Sequence, residues 1–301
     1  MDFELNRRDF LAASAAGVTL AAASQLTVQA AQENPKKKFL KAVKYSMCQG
    51  TGTLLETFKL LKELGYDGID MDKPADHKQV LEAQEQTGLK VHGVVDYVHW
   101  GQPLSSADPK VREAGLQGLL TAIKDSKAYG GTTVLLVVGV VNKDVSYADC
   151  YQRTQAEIRK AIPLATELGI KILFENVWNK FLLSPMEFAR YIDEFESPQI
   201  GAYFDIGNVV AMGWPEQWIR ILGKRIGKLD IKEYSVDIAN KTGPYTGFVK
   251  NLGEGSVNWP EVLKALDEIG YTGWGTAEMP GGGKDRLAEL SQQMDKVLAL
   301  K

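Results

Sequence analysis

Four short apolar runs in the second half of the chain each carry an acid. They read Leu173-Phe174-Glu175-Asn176-Val177-Trp178-Asn179, Tyr203-Phe204-Asp205-Ile206-Gly207-Asn208, Lys228-Leu229-Asp230-Ile231-Lys232-Glu233 and Trp274-Gly275-Thr276-Ala277-Glu278-Met279-Pro280. Taken singly, each acid reads equally well as half of a salt bridge or as a helix cap. Taken together at matched positions they say more. An unpaired carboxylate inside an apolar run costs several kcal/mol, and four that converge repel one another unless a positive group sits among them. A divalent cation is the simplest such group. A donor set made of carboxylate oxygens suits Mn²⁺, Mg²⁺ or Co²⁺ better than Zn²⁺, with Mn²⁺ or Mg²⁺ expected first.

From residue 42 onward one pattern recurs: a short β-rich run, a polar loop, an amphipathic helix closing on glycine, then the next run. Strands are expected at Val43–Met47, Gly68–Asp72, Lys90–Asp96, Thr132–Gly139, Lys171–Val177, Ile200–Ile206, Ile226–Tyr234 and Gly273–Met279. Most are continuous apolar runs, as parallel strands covered on both faces require. Helices are expected at Leu54–Leu64, Val80–Thr87, Val111–Tyr129, Tyr151–Leu168 and Trp259–Ile269, with Ser184-Pro185-Met186-Glu187 and Asn258-Trp259-Pro260-Glu261 as start signals. Eight such units predict a single-domain (β/α)8 TIM barrel over residues 42–301. An open doubly wound sheet fits less well, because no glycine-rich dinucleotide fingerprint follows any strand. In a barrel the ends of strands five to eight share one rim, where chemistry sits. The stretch from Ser235 to Asn258, containing Gly243-Pro244-Tyr245-Thr246-Gly247, is long for a connection after a strand and reads as a functional lid.

The ordered set Phe174-Glu175-Asn176, Phe204-Asp205-Ile206-Gly207-Asn208, Leu229-Asp230-Ile231-Lys232-Glu233, Leu252-Gly253-Glu254-Gly255 and Ala277-Glu278 resembles the sugar phosphate isomerase/epimerase superfamily of xylose isomerase-like barrels. That superfamily includes ketose 3-epimerases, hydroxypyruvate isomerase and endonuclease IV. The resemblance implies a divalent ion held by Glu175, Asp205, the strand-seven residue and Glu278, with the two glutamates also transferring protons. The sequence departs from the pattern where strand seven usually supplies His in His-x-Lys-Asp: Asp230 stands there. Asn208 likewise stands where the second motif often carries His. Asp230 can bind a hard cation or be no ligand at all, and both readings stay open. The scarcity of histidine, 3 in 301 residues, argues against the endonuclease branch.

The chemistry implied is removal of a proton alpha to a carbonyl and its return, through an enediolate. Glu175 and Glu278 are the candidate acid–base pair. Lys232 shares the strand parity of Asp230 and reads either as an oxyanion stabiliser or as its counter-ion. His99 and Trp100, Asn176, Trp178, Asn208 and Asp72 are candidate substrate-binding residues, with packing or capping as the plainer reading of each. His92 reads as core and His77 as surface. Trp214 and Tyr245 read as sugar platforms or as packing. Gly281-Gly282-Gly283 reads as an anion-binding nest or as a turn. A metal-dependent sugar isomerase or epimerase is therefore expected. The alternatives are a keto-glycoside lyase or hydrolase on the same scaffold, or a sugar-binding barrel without catalysis.

The composition sets outer limits. With 35 basic against 38 acidic residues the chain has no electrostatic footprint for nucleic acid, and 2 cysteines build neither a disulfide framework nor a four-thiolate zinc site. Residues 1–30, with Arg7-Arg8, an alanine-rich run and a small-residue site at Val28-Gln29-Ala30, resemble a twin-arginine (Tat) signal peptide. Residues 31–41 then form a linker. The mature protein is expected to be periplasmic, without an integral membrane segment. Its expected partner is a small-molecule sugar or glycoside, and the sequence is compatible with a homo-oligomer. An exported enzyme meets free sugars more than phosphorylated ones.

Overall fold

The computed structural model describes residues 38–300. The expected export signal and linker residues 31–37 lie outside the described residues. Eight parallel strands, β1 (Phe39–Lys44), β2 (Gly68–Met71), β3 (Lys90–Val95), β4 (Thr133–Leu136), β5 (Lys171–Glu175), β6 (Ile200–Asp205), β7 (Ile226–Ile231) and β8 (Gly273–Ala277), pair in sequence order, with β8 closing on β1. The architecture is a single (β/α)8 barrel, as the alternation of runs and helices predicts. Among the described residues ten helices follow or link the strands: α1 (Leu54–Glu63), α2 (His77–Thr87), α3 (Pro109–Ala128), α4 (Tyr147–Leu168), α5 (Pro185–Asp193), α6 (Ile206–Val210), α7 (Pro215–Leu222), α8 (Val236–Thr242), α9 (Trp259–Glu268) and α10 (Lys284–Val297).

Local sequence explains the helix limits. Thr53 and Glu56 form a reciprocal capping box at the start of α1, Ser184 accepts from the Glu187 amide before α5, and Asn258 accepts from the Glu261 amide before α9. At the other end, Gly88 and Gly169 take φ of 68° and 69° after α2 and α4, the left-handed conformation a helix stop needs. The apolar helix faces, with Phe58, Leu119, Ile158, Phe188, Ile219 and Leu266 fully buried, pack on the outside of the barrel. Inside it, Leu135, Leu173 and Tyr203 form a separate small cluster.

The first strand lies about four residues earlier than expected. Its sheet partners end at Lys44, opposite Asp70, and at Val43, opposite Ala277, so the ladder has nothing to continue on. Tyr45–Met47 instead make one 3-10 turn, with Asp72 accepting from the Ser46 amide at 2.8 Å and from its hydroxyl. The barrel therefore begins inside the segment read as linker. The other strands stop one to three residues short of the expected ends, leaving the acids of the second half at the rim. Register then sets their heights: Glu175 lies opposite Tyr203, Asp205 opposite Asp230, and Asp230 opposite Thr276.

Candidate active site and metal centre

Glu175 is the last residue of β5 and Asp205 the last of β6, Asp230 lies one residue before the end of β7, and Glu278 follows β8. The barrel brings all four together. One carboxylate oxygen from each falls within 4.8 Å of the other three, and only Glu278 is more than slightly exposed. Asp205 is fixed most tightly. Its carboxylate accepts from the Asn208 amide at 2.8 Å and caps α6, while Asn176 bonds the Asp205 amide through Oδ1 and its carbonyl through Nδ2, each at 2.8 Å. Asn208 Nδ2 returns to the Asn176 carbonyl at 3.0 Å. Asn176 thus spends its amide clipping β5 to β6, while Asn208 gives the clip one bond from its Nδ2.

Two lysines enter the cluster. Lys232, just past β7, reaches Asp205 Oδ2 at 3.2 Å and Glu278 Oε1 at 3.4 Å, so it does face inward with Asp230. Lys44, the last residue of β1, reaches Asp230 Oδ2 at 3.0 Å and Glu278 Oε2 at 2.8 Å. Lys44 is absent from the residues that the sequence marks. The signal that could have found it is a charge inside an apolar run: of Lys41 and Lys44, only one can face the barrel interior. Lys41 faces out, onto Ser291 and Asp295.

The electrostatics separate the acids. Burial, reinforced by the charge of Glu278, pushes Glu175 above the ordinary carboxylate range. Burial raises Asp230 too, more than the pull of Lys44 lowers it. For Glu278 burial acts in the same direction, but Lys44 and Lys232 outweigh it and hold the group low. Its side chain is 32% exposed, so water screens part of that pull. The result is an ionised Glu278 facing a protonated Glu175.

The acid set fits a hard divalent cation. All donors are oxygens, and Asp230 Oδ1 is buried with no donor of its own among the described residues. Glu175, Asp205, Asp230 and Glu278 would hold the ion, so Asp230 fits as a ligand. Because Glu175 is pushed up to about 8 in the cation-free cluster, binding below that pH must release its proton. Mn²⁺ binding is therefore expected to tighten as pH rises from about 6, to which burial pushes Asp205, towards about 8, to which Glu175 is pushed. A carboxyl with a raised folded-state pKa gives stability that is fully present below its unfolded pKa and lost as pH climbs through the folded one. Melting curves with and without Mn²⁺ should diverge as pH rises; a pH-independent gap would place the protons elsewhere.

A cavity of about 270 Å³ opens above Glu175, Glu278 and Lys232, walled by Trp100, Trp178, Tyr245 and Phe248. Trp178 donates to the Asn208 carbonyl at 2.8 Å and packs on Tyr234, Tyr245 and Phe248. Tyr245 and Phe248 lie on the 3-10 turn Pro244–Val249, so the long connection after β7 supplies one wall. Asn208 also edges this cavity. His99 is buried beside Trp100, its Nδ1 accepting from the Val137 amide at 3.4 Å; burial lowers its pKa to about 4 and keeps it neutral. Trp100 is 57% exposed at the mouth.

One expectation is corrected, and one of two open readings gains support. Asp72 is not part of the cavity, because its carboxylate caps the turn after β1. The glycine run is no open nest at its centre: the Gly282 amide donates to Met47 and its carbonyl accepts from Gln49, stitching the run to the loop after β1. Asp70 faces the barrel interior below the acids, accepting from Tyr203 at 2.5 Å, with Lys228 and His92 beside it and His92 stacked on Trp274. His92 is core, and His77 lies at the surface with Asp125.

Comparison with known proteins agrees with this fold. A family model described as a xylose isomerase-like TIM barrel matches residues 58–299. L-ribulose-5-phosphate 3-epimerase UlaE of Escherichia coli O1:K1 / APEC is 27% identical over 265 residues, covering 81% of this chain and 89% of the relative. Among solved structures, an L-ribulose 3-epimerase superposes with a TM-score of 0.71 at 17% identity, covering 86% of this chain and 94% of its own. The 3-keto-D-glucoside 4-epimerase YcjR from E. coli superposes with 0.69 at 15%, covering 88% and 100%. At these identities the two structures speak for the fold.

Proposed function

The chain belongs to the xylose isomerase-like TIM barrel family, and from that membership and its acid cluster we propose that it is a divalent-metal-dependent sugar epimerase or isomerase. The observation that carries the proposal is the pair Glu175 and Glu278, joined in one acid cluster and both facing the cavity above it. Such a pair can take a proton on one side of a carbon and return one on the other. For one epimer Glu278 is the base and Glu175 the acid, and for the other the roles reverse. A bound divalent ion supplies Lewis-acid polarisation of the substrate carbonyl. Lys232 lies at the cavity floor, where its ammonium faces negative charge developing on a substrate oxygen. Trp100, Trp178, Tyr245 and Phe248 give the ring an apolar wall and keep water from the carbanion.

The substrate proposed is a neutral sugar. Among the described residues no arginine lines the cavity, and its one lysine sits down at the acid cluster beside Asp205 and Glu278, so no further cation is placed to take a separate phosphate group. This sets the chain apart from the relatives named for a 5-phosphate. Trp100 and Tyr245, 57% and 74% exposed, leave stacking surface for a second ring or aglycone, which favours a keto-glycoside alongside a free ketose. Export remains part of the proposal, supported by Arg7-Arg8 and Val28-Gln29-Ala30. Among the described residues no helix is long and apolar enough to cross a membrane.

The test is exchange in D₂O. Neutral ketoses and keto-glycosides are incubated with Mn²⁺-loaded protein and followed by NMR, and deuterium is expected to replace hydrogen at the carbon alpha to the carbonyl with no C–C or C–O bond cleaved. Cleavage in place of exchange would move the assignment to a lyase or hydrolase. No exchange with any neutral sugar, and exchange with a phosphorylated one, would overturn the neutral-substrate reading.

A further inference from the structure

Lys44 is the residue of the cluster that a metal site has no need for. Both hydrogen bonds of its ammonium go to acids expected to hold the ion, Asp230 at 3.0 Å and Glu278 at 2.8 Å. Its side chain is 10% exposed, so the charge is not shared with bulk water. Lys232 takes the other oxygen of Glu278, at 3.4 Å, so each oxygen of that carboxylate already faces an ammonium. A divalent ion drawing on Glu278 and Asp230 would stand within a few ångströms of the Lys44 charge, in a setting where like charges are weakly screened. The two cations compete for the same oxygens.

We propose that Lys44 is a built-in counter-cation, holding Asp230 and Glu278 in register when the metal is away and yielding them when it binds, so that it sets how tightly the cluster takes metal. The position on β1 suits this. The ammonium hangs on a four-carbon stem that can swing, whereas the acids are fixed by strand register and, for Asp205, by the Asn176 and Asn208 clip. The proposal rests on the reading of the acid cluster as a metal site, and it adds a role to a residue outside the proton-transferring pair.

The experiment is a binding measurement on the full chain after stripping with a chelator. Mn²⁺ is titrated by calorimetry and, independently, by the EPR signal of free Mn²⁺. Lys44→Met removes charge and hydrogen bonds, Lys44→Gln removes the charge but keeps a donor toward Asp230 and Glu278, and Lys44→Arg keeps the charge. Both neutral variants are expected to bind Mn²⁺ about tenfold more tightly than the unaltered protein, or better, with Lys44→Arg near the unaltered affinity. Lys44→Gln preserves the fold if Lys44→Met does not. Equal affinity in all forms would overturn the role of Lys44 and leave the metal site standing. Weaker binding in the neutral variants would overturn it too, making Lys44 an organiser of the ligands. Absence of Mn²⁺ binding in every form would overturn the metal reading and this inference with it.

Discussion

Substituting Gln for Glu278 is expected to lower epimerisation by about 10²–10⁴-fold, the range a positioned acid or base contributes. The amide keeps an oxygen for a metal ion and roughly the shape of the carboxylate, but it cannot accept a proton. The loss should depend on direction. If Glu278 serves one face of the reacting carbon and Glu175 the other, Glu278→Gln stops deuterium washing into the epimer whose proton points at Glu278. Exchange from the other epimer survives in part, because Glu175 is intact. Glu175→Gln should show the reverse preference, and both variants should lose net epimerisation. The fold should persist, since Asp205 and Asp230 remain to pair with Lys232 and Lys44. Exchange from both epimers at the unaltered rate would remove Glu278 from the proton path, whatever its part in binding metal.

What the sequence could and could not reveal follows from the range of the forces involved. Glu175, Asp205, Asp230 and Glu278 stand out because each places a charge in an apolar run, and strand parity with barrel closure leaves such charges one common place to go. Those are short-range patterns. Lys44 sits in an equally apolar run, but the strand there was set by its neighbours: β1 ends where β2 and β8 stop offering hydrogen bonds, a fact lodged at residues 70 and 277. A strand starting at Val43 has Lys44 as an early residue, whereas Lys44 is the last of β1, at the rim. Asn176 and Asn208 show a different limit. Each is polar and at the rim, as a substrate ligand would be, yet each also has a partner 29 or 32 residues away and joins a clip between strands that the sequence alone does not mark. Asp72, another rim acid, is likewise absorbed by a serine 26 residues before it. Residue type marks a polar group as expensive to leave alone, and only the fold says which neighbour satisfies it.

Glu233 shows the same lesson with the largest expected effect on stability. It follows Lys232, has the opposite parity, and so points away from the acid cluster; yet it is 0% exposed. The connection after β7 folds over it. One oxygen accepts from the amides of Tyr234 and Val257, each at 3.1 Å, and the other from the Gly253 amide at 2.8 Å and the Trp259 indole at 3.0 Å. A buried carboxylate with four donors is well satisfied, and its removal leaves those donors facing a void. Glu233→Ala is expected to cost about 2–6 kcal/mol, counting two donors that find no new partner at 1–3 kcal/mol each. For a barrel of this size that is a fall in Tm of roughly 5–20 °C. Glu233→Gln should fall between, because it keeps one acceptor but turns an NH₂ group toward two donors. The chemistry should suffer by another route. The segment that Glu233 anchors carries Tyr245 and Phe248, so KM for a neutral sugar should rise more than kcat falls. A Tm unchanged by Glu233→Ala would mean that the loop is held by its other contacts. A kcat that collapsed at unchanged KM would instead put Glu233 in touch with the acid pair, against the parity of β7.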